Sequence, residues 1–470
     1  MGEVLERCEV VPGAGAAAQD VPLTFYDLHW AGPGRVKRIF LYQFPYSTSH
    51  FRETILPKLK QSLSLTLEKF FPLAGNLHCP PSPDKPFIRF VPNLDSVTLT
   101  LALDTPSSHF KDLVGNQVQN IQDLDHLVAD LPLFPKPSHD DDDTLKFPML
   151  SVKITLFPGE GICIATTYRH VIDGKSFSHF ISYWASLCLN LDGPHLPSLP
   201  LLDRQVVTDP KGVQPLLLER YFSKLAFWKR ILSGPPLGVV AAQDENIVRL
   251  TLELEAVDLK RLKNFLSHTC KPPPTNLSRL TATCALLWVS LVRSTRGSLE
   301  QNQDQQEWIM LQADCRNRIQ SIPSSYFGSC LIPVGAVLKH KDFLGQDTLV
   351  AAIKVIDAAL SKWKTDPLQD AEKVMQLMTD LSITGRGLRL TTVAGSPNFP
   401  SYHTDFGFGN PTKVDLVNMV NNFFFAESAK EEGAFQVGLS LNKDHLHPFL
   451  SAFQQALQTL PHLPSSTLPF

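Results

Sequence analysis

Apolar residues recur along this chain in two different periods. Over Ser49 to Phe70, residues Phe51, Ile55, Leu59, Leu63 and Leu67 return every four positions, which predicts a helix with one buried face. Pro57 falls inside it, as an early-turn residue or a kink, and Phe71-Pro-Leu-Ala-Gly75 ends it. Shorter apolar runs predict strands at 36–45, 86–91 and 97–102, and a strand pair at 148–156 and 161–168 joined by Pro158-Gly-Glu-Gly161. A helix follows with Phe177, Phe180, Ile181, Trp184 and Leu187 on one face. In the second half, helices are expected at 217–232, 257–267, 277–294, 347–363, 368–381 and 443–459. Strands are expected at 247–254, 308–313, 388–393, 414–425 and 434–441. Strands and helices are mixed throughout with no fixed repeat, which predicts an α/β fold and excludes a solenoid.

A chain of 470 residues is too long for one ordinary core. Residues 191–216 are proline-rich and lack periodicity, so they read as a linker. The expected organisation is an N-terminal domain at 1–190, a crossover linker at 191–216 and a C-terminal domain at 217–470. Prolines outnumber glycines by 37 to 25, which points to long, stiff surface connections.

Charge and cysteine usage narrow the function. A formal net charge of -3 provides no strong field for nucleic acid or a membrane surface, so neither is expected as a partner. The mostly apolar stretch Cys284 to Val292 is too short to span a bilayer. The first ten residues lack a signal-peptide core, and Glu6 stands where a myristoylation motif needs Ser or Thr. Eight scattered cysteines without a Cys-x-x-Cys pair predict reduced thiols, a cytoplasmic protein and no zinc site. Four successive aspartates, Asp140 to Asp143, read as a solvated charge run rather than a metal site.

The segment richest in chemistry is Thr167-Tyr-Arg-His170-Val-Ile-Asp173-Gly174-Lys-Ser176. A strand there runs through a turn into an amphipathic helix, with a histidine at the strand end. A neutral imidazole is suited to taking a proton from an attacking hydroxyl. Asp173 could equally do no more than cap the following helix, and a histidine beside a turn is more often structural. Two further segments bear on the choice: Asp405-Phe-Gly407-Phe-Gly409, and Tyr326-Phe-Gly-Ser-Cys330 shortly after Asp314-Cys-Arg316. A nucleotide-binding glycine loop and a Gly-x-Ser-x-Gly elbow are both missing; Gly385-Arg-Gly387 is too short to count.

Taken together, these segments resemble the plant BAHD acyltransferases in order and spacing. That family pairs His-x-x-x-Asp-Gly near mid-chain with Asp-Phe-Gly-Trp-Gly near the C-terminus. Its branch acting on flavonoid and phenolic glycosides carries Tyr-Phe-Gly-Asn-Cys. Leu23-Thr-Phe-Tyr-Asp-Leu28, Pro57 to Asn76 and Ala394-Gly-Ser-Pro397 extend the resemblance over essentially the whole chain. Three positions depart from it. Phe408 replaces tryptophan, Ser329 replaces asparagine, and only two residues separate His170 from Asp173. Either the turn has lost a residue and His170 keeps its place, or Arg169 stands where the family has histidine. The first is favoured, since a turn absorbs a deletion more readily than a buried strand. A literal His126-x-x-x-Asp130 lacks the following glycine and reads as structural.

The resemblance implies two similar chloramphenicol-acetyltransferase-like α/β domains with a central channel at their interface, in a monomer. It implies transfer of a malonyl or hydroxycinnamoyl group to a sugar hydroxyl of an anthocyanin, flavonoid or phenolic glucoside. Acyl-CoA would serve as co-substrate, with no permanently bound cofactor and no metal. His170 would be the general base. Asp173 and Gly174 would be structural, with Arg316 pairing Asp173 from the second domain. Asp405, Gly407 and Gly409 would be structural too, and Thr391 to Ser396 a candidate source of oxyanion donors. The rival expectation is a relic of the same fold that binds acyl-CoA or flavonoid without turnover.

Overall fold

The computed structural model describes residues 2–104, 109–132, 143–190, 196–233, 246–295, 303–319, 322–370, 372–374, 376–377, 389–417 and 422–461. Asp140 to Asp142, residues 191–195 of the linker, part of the helix expected at 368–381, and Gly385-Arg-Gly387 lie outside the described residues.

In chain order the first strands are β1 (Glu3–Val10), β2 (Gln19–Pro22), β3 (Arg35–Gln43), β4 (Asn76–Cys79), β5 (Phe87–Phe90) and β6 (Val97–Leu103). Next come β7 (Gln119–Asn120), β8 (Leu145–Pro148), β9 (Leu150–Phe157), β10 (Gly161–Arg169) and β11 (Ile247–Leu254). The remaining strands are β12 (Gln306–Asp314), β13 (Leu331–Lys339), β14 (Arg389–Gly395), β15 (Lys413–Leu416), β16 (Asn422–Glu427) and β17 (Phe435–Asn442). The helices are α1 (Phe25–Leu28), α2 (Thr48–His50), α3 (Leu56–Lys69), α4 (His109–Val114), α5 (Gln122–Asp125) and α6 (Gly174–Leu189). They continue with α7 (Gln214–Ser233), α8 (Ala256–Thr269), α9 (Arg279–Ser294), α10 (Thr348–Thr365) and a closing helix, Lys443–Gln458.

The chain divides into two compact units. The first comprises Met1–Gln243, Asp314–Leu331 and Asn398–Asn418; the second comprises Asp244–Ala313, Ile332–Pro397 and Met419–Phe470. The boundaries thus differ from a simple cut at 191–216. Helix α7 packs on α1 and so stays with the first unit. Two later segments also return to it. Residues 413–416 pair with Leu41 to Arg38 of β3 and form an edge of its sheet. The strand expected at 414–425 is therefore two strands: β15 in the first unit and β16 in the second. Both are short and apolar, and alternation alone does not reveal which sheet each joins.

The first unit holds a sheet of order β1-β6-β9-β10-β3-β15 and a smaller one of order β2-β5-β4-β8. Strand β10 is central in the larger sheet, and every residue in it is buried. That explains its near-continuous apolar sequence, as both faces of the strand are covered. The expected helix at 49–70 begins as α2, passes through one wide turn at Phe51–Ile55 and becomes regular in α3, with Pro57 in the first turn of α3. Proline offers no backbone N–H and clashes with the preceding turn, so the wide turn accommodates it. Helix α3 packs on α6. Trp184 of α6 is fully buried and donates its indole N–H to Ser62 Oγ at 3.1 Å.

In the second unit, β14 lies parallel to β12 on one side and to β16 on the other, followed by antiparallel β17 and β11. Helix α9 is buried nearly all round and is packed against α8, α10 and the closing helix. Ser278 caps it by accepting from the backbone N–H of Thr281 at 3.0 Å. Among the described residues, no helix is long and apolar enough to cross a membrane.

Candidate active site

Strand β10 delivers the histidine motif. Its pairing with β3 runs unbroken from Gly161 to Arg169, and the turn at His170 to Ile172 follows directly. That turn closes with Ile172 N–H donating to Arg169 O at 3.2 Å. Helix α6 then begins at Gly174, with Asp173 as its N-cap.

The two residues that could stand at the family's histidine position have very different surroundings. Arg169 is fully buried, and its guanidinium donates to three backbone carbonyls: Pro148 at 3.0 Å, Pro33 at 2.7 Å and Pro132. Burial, with Arg35 nearby, pushes its pKa down to about 9, so it remains charged at neutral pH. An always-protonated group locked by three acceptors cannot accept a proton. His170 is half-buried. Its ring stacks on Trp30 with centroids 3.9 Å apart and planes 12° from parallel. Its Nδ1 is buried without a hydrogen-bond partner. Burial lowers the His170 pKa to about 4, opposed by its own backbone and Asp173 and reinforced by Lys224 and Arg38. The imidazole is therefore neutral at pH 7.

Trp30 belongs to a cluster that the sequence reading missed. His29 meets the Trp30 ring edge-on at 4.5 Å. Burial first, then Lys224 and His170, lower its pKa to about 3. Lys224 of α7 donates from Nζ to His29 O at 3.0 Å. His29 and Trp30 directly follow the Leu23–Leu28 segment, so position was the available signal. Nothing in the sequence pattern marked Lys224.

Asp173 is the hub beneath this surface. Its Oδ1 accepts from the Ser176 backbone N–H at 2.8 Å, capping α6. Its Oδ2 accepts from Arg316 at 2.8 Å and from Cys330 N–H at 3.1 Å. The expected pair with Arg316 is thus present, and both side chains are 1% exposed. The segment carrying Arg316, however, packs as part of the first unit. Burial opposes the Arg316 charge, but the Asp173 and Asp314 carboxylates outweigh it and raise its pKa. Ser176 Oγ donates to Gly328 O at 2.8 Å. Asp27 in α1 accepts from Ser329 N–H at 2.9 Å, tying the Leu23–Leu28 segment to Tyr326–Cys330. A Cβ on Gly328 would sit 2.5 Å from the Arg204 guanidinium, which would have to shift to admit any side chain there. At Gly174 a Cβ would lie 3.1 Å from Phe399.

Asp405 organises its own loop. Its Oδ1 accepts from Gly407 N–H at 2.7 Å and Gly409 N–H at 2.9 Å. Both glycines have positive φ, +100° and +99°, a conformation that disfavours any side chain. Phe406 packs edge-on against Trp184 at 4.8 Å, and Phe408 against Tyr42 at 5.0 Å. His126 Nε2 lies 2.9 Å from Asp104 Oδ2. Thr391 to Gly395 form part of β14 in the second unit. Each of the eight cysteines is a thiol rather than half of a disulfide. Among the described residues, no group of three His, Cys, Asp or Glu is arranged to hold a metal.

Comparison with known proteins gives this architecture its family. Residues 3–456 match the family model described as the Transferase family. An Arabidopsis thaliana BAHD acyltransferase is 33% identical over 92% of this chain and 93% of its own length. The chain belongs to the BAHD acyltransferase family. Another BAHD relative, coumaroyl-CoA:anthocyanidin 3-O-glucoside-6''-O-coumaroyltransferase 2 from Arabidopsis thaliana, is 32% identical, with 97% of each chain covered. A Salvia splendens relative, malonyl-coenzyme:anthocyanin 5-O-glucoside-6'''-O-malonyltransferase, is 31% identical over 97% of this chain and 95% of its own. Vinorine synthase has the same fold, with a TM-score of 0.66 and 18% identity over 96% of this chain and 98% of its own. The α/β fold class expected from the sequence thus holds for this BAHD chain.

Replacing Asp173 with alanine removes a helix cap and leaves a buried guanidinium short of a partner. The expected cost is about 3 kcal/mol, read as a drop of several degrees in the thermal midpoint; Arg316→Ala should produce a similar drop.

Proposed function

We propose that this protein transfers a malonyl or hydroxycinnamoyl group from acyl-CoA to a sugar hydroxyl of an anthocyanin, flavonoid or phenolic glucoside, with His170 as general base. The observation that carries this reading is the contrast at the end of β10. The neutral, half-buried ring of His170 leaves its Nδ1 without a hydrogen-bond partner, while Arg169 is consumed by three carbonyls. The relatives named for coumaroyl and malonyl transfer to anthocyanin glucosides support the substrate class.

In this mechanism the acceptor hydroxyl gives its proton to His170 as its oxygen attacks the thioester carbonyl. The C–O bond forms and a tetrahedral oxyanion results. The C–S bond then breaks, the ester is released, and the proton passes from His170 to the CoA thiolate. Trp30 holds the ring in one plane, which fixes the line along which the proton is taken. Asp173 has both oxygens engaged by Ser176, Arg316 and Cys330, so it acts on the fold rather than on the substrates. Positioning of two substrates against one base supplies much of the acceleration.

The competing reading is a chain that binds ligand without turnover. One observation favours it: four residues before Asp173 stands Arg169, which has no basic lone pair.

His170→Ala tests the assignment. With acyl-CoA and an anthocyanidin glucoside, kcat should fall by roughly 10²–10⁴-fold, while circular dichroism and the thermal midpoint stay near wild type. Retained turnover in that variant would refute His170 as the base. A second expectation concerns pH. A base must be deprotonated to work, and burial lowers the His170 pKa to about 4. The profile of kcat/KM should therefore stay flat from neutral pH down to about pH 5 and fall below it. A fall centred near pH 6.5, the ordinary histidine value, would contradict the buried environment described here.

A further inference from the structure

Arg169 and Lys175 flank the histidine motif in sequence, and folding brings Lys224 close enough to act on His170; their surroundings separate the three. Arg169 is saturated by the carbonyls of Pro33, Pro132 and Pro148. Lys175 lies 3.5 Å from the Asp314 carboxylate. Lys224 is different. It is half-buried, and its Nζ donates to one backbone carbonyl, His29 O, at 3.0 Å. Among the described residues, no carboxylate forms an ion pair with it.

The neighbourhood of Lys224 is rich in donors that lack acceptors. Trp30 Nε1 and Trp228 Nε1 are both buried without a hydrogen-bond partner. Trp228 lies one helical turn beyond Lys224 on α7, and its Nε1 is 3.9 Å from where a Cβ on Gly32 would stand. Trp30 is the residue stacked on His170, and His29, which receives the lysine, precedes it. Buried donors without acceptors are costly and call for an oxygen-rich partner. Burial pushes the Lys224 pKa down to about 8, so it remains mostly charged at neutral pH.

We propose that Lys224, flanked by the indole N–H groups of Trp30 and Trp228, is an anion subsite beside His170 that receives a free carboxylate on the acyl group of the donor. This deepens, and rests on, the reading of His170 as the reaction centre. It selects a dicarboxylic acyl donor such as malonyl-CoA over a donor with an uncharged acyl tail. A carboxylate there satisfies the ammonium and an indole together, through charge-assisted hydrogen bonds. Such bonds are strong enough for a preference of roughly tenfold or more.

The test uses equilibrium binding first, so that it does not depend on turnover. Calorimetry on the full-length protein would compare malonyl-CoA with acetyl-CoA, for wild type, Lys224→Met and Lys224→Arg. Wild type should bind malonyl-CoA at least roughly tenfold tighter than acetyl-CoA. K224M should lose that preference with acetyl-CoA affinity nearly unchanged, and K224R should recover most of it. Equal affinity of the two donors for wild type, or equal loss of both in K224M, would overturn the subsite. A malonyl preference that depends on Lys224 without product formation would leave the subsite standing and overturn the transferase reading instead. Transfer of coumaroyl but not malonyl groups by wild type would overturn the subsite and leave the transferase reading intact.

Discussion

The Asp173 carboxylate, buried and fully engaged, is the constraint on which the rest of the site depends. One oxygen starts α6, and the other holds Arg316 and the backbone of Cys330. Burying the Asp173 charge is tolerated because both of its oxygens accept from donors, one of them the Arg316 guanidinium. The three sequence segments that looked separate, around residues 23–28, 167–176 and 314–330, therefore form one polar knot. Asp27 reaches Ser329, Ser176 reaches Gly328, and Arg316 reaches Asp173. This knot fixes where β10 ends and α6 begins, and thus where His170 emerges.

The chemistry then follows from a one-residue difference. Arg169 is the last strand residue and turns into the protein, where carbonyls absorb its donors. His170 is the first residue of the turn and lies flat on Trp30. Desolvation keeps the imidazole neutral, and the nearby Lys224 charge works in the same direction. The same cation that disfavours an imidazolium would suit an anionic acyl tail, which is the basis of the donor choice proposed for Lys224.

Much of this was legible in the sequence. The helical spacing of Phe177, Phe180, Ile181 and Trp184 placed α6, and the apolar run at 161–168 placed β10. The Asp173–Arg316 pair was expected from family resemblance, and the structure contains it. The domain boundary was not legible, because residues 413–416 join a strand more than 360 positions earlier and no local pattern records that. The break in the helix at 51–55 was hidden because Phe51, Ile55 and Leu59 keep a four-residue spacing in the sequence, whereas the wide turn bonds Leu56 N–H to Phe51 O and buries Leu56 in place of Ile55. Lys224 was invisible since a lone lysine on an amphipathic helix reads as solvated. Its importance comes only from packing against the loop after α1.

The most direct measurement of the central claim is the mass of the acceptor after incubation. Purified protein, acyl-CoA and an anthocyanidin glucoside should yield the glucoside heavier by one acyl group, with one free CoA thiol released per ester formed. Recovery of both ligands unchanged, with binding intact, would contradict catalysis by His170 and leave a ligand-holding protein.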